Sequence, residues 1–124
     1  DRASWPGQAP DAPADAAELT EAVTQFLEAE NKKLTARDNI ERRMLEVVIT
    51  GPWRIFKRNL LDEPVQFGLP VLGAVQLETE ESLNRARVYE LSVLTQERRG
   101  VEKAPPFIGS AVGDSYYIHP AALE

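Results

Sequence analysis

The sequence contains no cysteine, a single histidine and a single methionine, and no apolar run in it approaches the roughly 18 residues of a bilayer-spanning helix. Without cysteine there is no disulfide framework, no thiolate-bound zinc or iron–sulfur cluster, and no cysteine nucleophile. The lone imidazole, His119, removes every metal site built on two histidines and leaves one base for any serine nucleophile. Ser4, Ser82, Ser92, Ser110 and Ser115 stand in no nucleophile-elbow context, and the scattered glycines form no phosphate-cradling loop. The expectation is a chain with no transmembrane segment, no metal, no cofactor and no catalytic constellation.

The composition is that of one globular domain: 124 residues, 43% hydrophobic and 27% charged. The net charge of −6 is unevenly spread. Residues 1–31 hold seven acids and one base, whereas residues 32–124 hold 13 of each. A balanced body argues against nucleic acid, which needs a basic face to displace counterions. The exception is local: Lys32, Lys33, Arg37, Arg42, Arg43, Arg54, Lys57 and Arg58. They read either as a solvated helix face or as a surface for an acidic partner or anionic lipid headgroups.

Residues 1–14 form an Ala/Pro-rich leader with Pro6, Pro10 and Pro13. Proline fixes its own φ and donates no amide, so this stretch is expected to be extended and flexible. Such leaders follow a removed signal peptide or tether a domain to a membrane anchor, which favours a periplasmic, extracellular or membrane-anchored setting over the cytoplasm. Trp5 reads either as a disordered residue or as a latch folding back onto the domain. The closing Leu123-Glu124 reads equally as native chain or as a cloning scar, and carries no functional weight.

Residues 15–122 are expected to form one α+β domain. Leu19, Val23, Phe26, Leu27 and Leu34 recur at helical spacing, predicting an amphipathic helix over about 15–34, with Asp15 and Glu18 spaced as a capping box. Asp38-Asn39 looks like a second cap, and Ile40, Met44 and Val47 continue at helical steps, so a short helix is expected over about 39–46. The β-branched run 47–50 then favours extended chain, ended by Gly51-Pro52. Over 52–61 the Trp53, Phe56, Leu60 spacing favours a helix, and the Trp53, Ile55, Lys57 alternation is the competing strand. Short β runs follow at 65–67 and 71–79. Glu80-Glu81 reads as a solvated turn whose carboxylates stay in water.

Residues 85–95 alternate most clearly, with Ala86, Val88 and Leu94 on one face and Arg85, Arg87, Tyr89, Leu91 and Val93 on the other. The alternative is a more helical domain with 80–96 as a helix, because 80–94 lacks Gly and Pro. Gln96 to Gly100 reads as a charged turn, Lys103 to Pro106 as a loop, and 115–119 as a closing strand. The architecture expected is one long helix and one or two short ones packed on a curved antiparallel sheet of three to four strands. In element order and size this is similar to the cone-shaped NTF2-like domains. The resemblance implies a shape that hosts enzymes, ligand binders and secretion-machine scaffolds alike.

Two groups of residues invite a function. Trp53, Arg54, Phe56, Lys57 and Arg58 put aromatic and basic side chains together, as a protein-binding or self-association surface would. Arg85, Arg87 and Tyr89 share a strand face and, with His119, could hold an anionic ligand by forked guanidinium contacts. The first group supports a non-enzymatic binding or assembly module, the soluble domain of an envelope-associated or secreted protein. The second supports a small pocket protein, an enzyme of NTF2-like shape among its possibilities.

Overall fold

The computed structural model describes residues 5–96 and 107–123, so most of the expected charged turn and the whole of the Lys103–Pro106 loop lie outside the described residues. The first element, α1, runs Ala16–Asp38. Its buried side chains, Ala16, Leu19, Val23 and Leu27, fall three or four apart and form one stripe. Asp15 occupies the N-cap position but makes no side-chain cap bond. The chain entering from Pro13 satisfies that end instead, with the Ala16 amide donating to the Pro13 carbonyl. At the other end Asn39 takes φ 59° and its amide donates to Thr35, which closes the helix in the left-handed cap that Asn tolerates. Asn39 therefore stops α1 and does not open a second helix.

Five antiparallel strands follow: β1 Arg42–Ile49, β2 Arg54–Arg58, β3 Pro64–Leu77, β4 Ala86–Thr95 and β5 Phe107–Ile118. A short helix α2, Glu78–Glu81, joins β3 to β4, and a 3-10 turn, Pro120–Leu123, is the last element of the described residues. The expected helices at 39–46 and 52–61 are thus strands, and the alternative helix over 80–96 is confined to α2. The sheet runs β1-β3-β4-β5, with β2 also on β3, and is not closed. The first half of β3 pairs with β2 and the second half with β1, so β1 and β2 share one edge. Pro70 sits between the two pairings. Its carbonyl accepts from the Thr50 amide, so its missing donor falls where the chain turns from β1 into β2.

The helix covers one face of the sheet. Leu19, Val23 and Leu27 meet Val47, Ile49, Leu69, Val71, Val93 and Phe107. The opposite face carries Val48, Leu72, Ala74, Ala86, Val88 and Ile118. It is covered by the two ends of the described chain, with Trp5, Ala122 and Leu123 partly buried against it. The Ala9 amide donates to the Ile49 carbonyl at 3.0 Å, so the leader lies along the end of β1 from there. With both faces covered, residues 71–77 of β3 are buried without interruption. No helix among the described residues is long and apolar enough to cross a membrane.

Candidate functional site

The β2–β3 hairpin carries the first candidate surface. Every residue of β2 is exposed. At its tip the Asn59 side-chain oxygen accepts from the Leu61 and Glu63 amides at 2.9 and 3.0 Å, while its Nδ2 donates to Glu63 Oε1 at 2.9 Å. Arg58 closes the turn by donating to the Asp62 carbonyl, and Asp62 takes φ 64°. This bonded turn leaves Leu60 and Leu61 no core to enter: they are 104% and 74% exposed. Ile55 and Phe56 add further exposed apolar surface beside Arg54, Lys57 and Arg58. Trp53 does not belong to this surface. Its ring stacks on Phe107 at 6.1 Å, within the helix-side core.

The second group is divided by the fold. Arg85, Arg87 and Tyr89 do share a face at one end of the sheet, organised by an acid that the spacing did not single out. Glu80, expected in solvent, is 3% exposed. Its oxygens accept from Arg87 Nε at 2.9 and 3.1 Å. Arg85 Nε lies 3.4 Å away, an ion pair by distance but outside hydrogen-bond geometry. Both guanidiniums stand over the Tyr117 ring, at 4.2 Å for Arg85 and 5.4 Å for Arg87. The Glu80 carboxylate first, and Tyr89 second, push the Arg87 guanidinium above its ordinary pKa. His119 is exposed and lies elsewhere, its Nε2 2.7 Å from Asn84 Nδ2 and its Nδ1 accepting from the Ala121 amide. Neither a carboxylate nor a hydroxyl partners it among the described residues, so no nucleophile–base–acid array forms.

Beyond Leu27 the helix no longer seals against the sheet. Asn31 and Leu34, the next positions along its inner side, line a cavity of about 420 Å³, and Leu34 is already 40% exposed. The sheet beneath contributes Gly73, Val75 and Leu91, and Gly73 has no side chain to fill the space. Arg42, Arg87 and Tyr89 stand around the cavity, but Arg85 and His119 do not. Arg42 is tied to Asp38 by bonds of 2.9 and 2.6 Å, which hold the Asp38 carboxyl at a pKa of about 2. No group of three acidic or imidazole side chains among the described residues is placed to hold a metal ion.

In comparisons with known proteins, no family model, no curated protein and no solved structure matches the chain. What can be said of function therefore comes from its own residues.

Proposed function

We propose that the chain is a non-enzymatic binding and assembly module that docks through its β2–β3 hairpin. The observation that carries this reading is the hydrogen-bonded tip that holds Leu60 and Leu61 in solvent, with Phe56 and three bases behind them. Leaving two leucines wet on an ordered turn forgoes about 1.5–3 kcal/mol of burial for each, which a docking contact recovers. Arg58 is paired with Asp62 at 3.8 Å, and the excess of base over acid along β2 favours an acidic surface on the other side. A second copy of the chain supplies one: Glu18, Glu21 and Glu28 are exposed along the outer side of α1, within the segment that carries the net negative charge. Tip and acidic helix are different surfaces, so the contact is head-to-tail. The Ala/Pro-rich leader supports the accompanying proposal that this is the soluble domain of an envelope-associated or secreted protein.

Sedimentation equilibrium over a concentration series tests the assembly reading. Association is expected to grow with protein concentration, to weaken with added salt, and to disappear in a Leu60→Ser, Leu61→Ser variant whose unfolding transition is unchanged. A chain that stays monomeric throughout refutes self-assembly. Binding to phosphatidylglycerol vesicles that is lost in the same variant would assign the tip to a lipid surface instead.

A further inference from the structure

The cavity beneath the C-terminal half of α1 is independent of the hairpin, since none of Arg54–Leu61 lines it. Three features of its lining define a ligand. The floor is apolar, with Leu27, Met44, Val75 and Leu91 around Gly73. The atoms nearest a Cβ built on Gly73 are the flexible ends of Leu91, Leu27 and Met44, at 3.5 to 3.6 Å, so the glycine keeps this space open without being required by the backbone. The cavity volume, about 420 Å³, lies in the range of small-molecule sites.

The second feature is an orphaned donor. Asn31 Nδ2 is shut off from solvent and has no hydrogen-bond acceptor, and Asn31 lines this cavity. Buried amide nitrogens are nearly always satisfied, so a donor left in this state at the rim of a cavity is one that a rotation of the amide can offer to an acceptor supplied from outside the chain.

The third feature is the charge balance. Of the charged residues around the cavity, Glu30 is neutralised by Lys33 at 3.0 Å and Arg42 by Asp38 at 2.6 Å. Arg87 shares a single carboxylate, Glu80, with Arg85, so two guanidiniums face one acid and one positive charge is left over. Arg37, also on the lining, is exposed in the last turn of α1 and adds to the same sign. The surplus is therefore two positive charges, but Arg37 is exposed at the helix end and screened by water, so one oriented cation, Arg87, with an amide donor and a phenol, matches a singly charged head group better than a dianion.

We propose that this cavity binds an amphiphilic monocarboxylate, its alkyl or aryl body against Leu27, Met44, Val75 and Leu91 and its carboxylate against Asn31, Tyr89 and the Arg87 guanidinium. Every group invoked lies on the inner side of α1 or on the sheet face that α1 covers. The site forms because the helix seals at Leu27 and stands off beyond it. Arg87 stays oriented by Glu80, which takes its Nε and leaves the other nitrogens of the fork for the ligand.

Isothermal titration of the intact chain with decanoate, decanol, decyl phosphate and acetate tests the assignment. Decanoate is expected to bind one per chain, decanol and decyl phosphate about tenfold more weakly or worse, and acetate not at all. Gly73→Val, which puts methyl groups into the cavity, is expected to abolish decanoate binding. Should that variant fail to fold, Asn31→Leu decides. Removing an unsatisfied donor should raise Tm while weakening decanoate binding about tenfold. A purely structural asparagine would not move the two in opposite directions. The proposal is overturned if decanoate does not bind, if decanol or decyl phosphate binds as tightly, or if Asn31→Leu leaves the affinity unchanged.

Discussion

Arg87 donates its Nε to both carboxylate oxygens of Glu80, at 2.9 and 3.1 Å, across the turn between α2 and β4. The acid is buried while both guanidiniums around it keep contact with water, their side chains 42% exposed for Arg85 and 37% for Arg87. The pair therefore fastens α2 to the end of the sheet and holds the arginine that the cavity presents.

Replacing Glu80 with Ala leaves two like charges facing each other without their shared acid. Removing one member of a fully buried pair costs about 3–5 kcal/mol, but guanidiniums this exposed can turn into solvent, so a loss of about 1–2 kcal/mol is expected. Urea denaturation measures it, and a loss of less than a few tenths would show that the pair does not hold the turn.

Packing along α1 is expected to be unequal. Leu19 is 3% exposed and Leu34 40%. Leu19→Ala should cost about 2–5 kcal/mol and Leu34→Ala less than about 1 kcal/mol. Equal losses in denaturation curves would mean that the helix is sealed along its whole length and that the cavity is closed in solution.

The Asp38 carboxyl should titrate near pH 2, held down from 3.8 first by the hydrogen bond from Arg42 and then by the Ile40 amide. Its folded pKa is the lower one, so the contribution of the pair is present above the unfolded value and is lost as pH falls through about 2. Carboxyl chemical shifts followed by NMR check this directly. In Arg42→Ala the midpoint should move most of the way back, the remainder being the Ile40 amide, which still donates at 3.0 Å.

How far the fold could be read from the chain differs by element. α1 was legible because Leu19, Val23 and Leu27 repeat at the helical interval and all face one surface. The strand reading of 85–95 had a helix as its rival, and its alternation is real where Ala86 and Val88 are buried on one face and Arg87 and Tyr89 stand half-buried on the other. The apparent helix over 52–61 came from a spacing without a shared environment. Trp53 packs on Phe107, Phe56 lies by Gly68 on the opposite face, and Leu60 stands at the tip in solvent. Periodicity implies a helix only when one surface buries the whole stripe. β1 was obscured in another way: Val47, Val48 and Ile49 are all buried, because α1 covers one side and Trp5 with Leu123 covers the other.

The sites divide similarly. That Arg87 and Tyr89 share a face follows from their two-residue offset. Nothing in the order of residues separates Glu80 from Glu81, yet one is buried and the other exposed. Asn31 is an ordinary polar position of a helix until the sheet beneath it leaves its amide dry.

By itself the sequence determined the amphipathic helix, the acidic front end, and the absence of thiol or paired-imidazole chemistry, and it offered 85–95 as an alternating strand with a helix as the rival. These are properties of composition and short-range spacing. The tertiary structure alone decided that both sheet faces are covered, that Glu80 is the buried acid, and that the hairpin tip is wet. It also decided that the helix parts from the sheet beyond Leu27. Burial at each of these places is a sum over contacts from segments far apart in the chain, and no local window contains that sum.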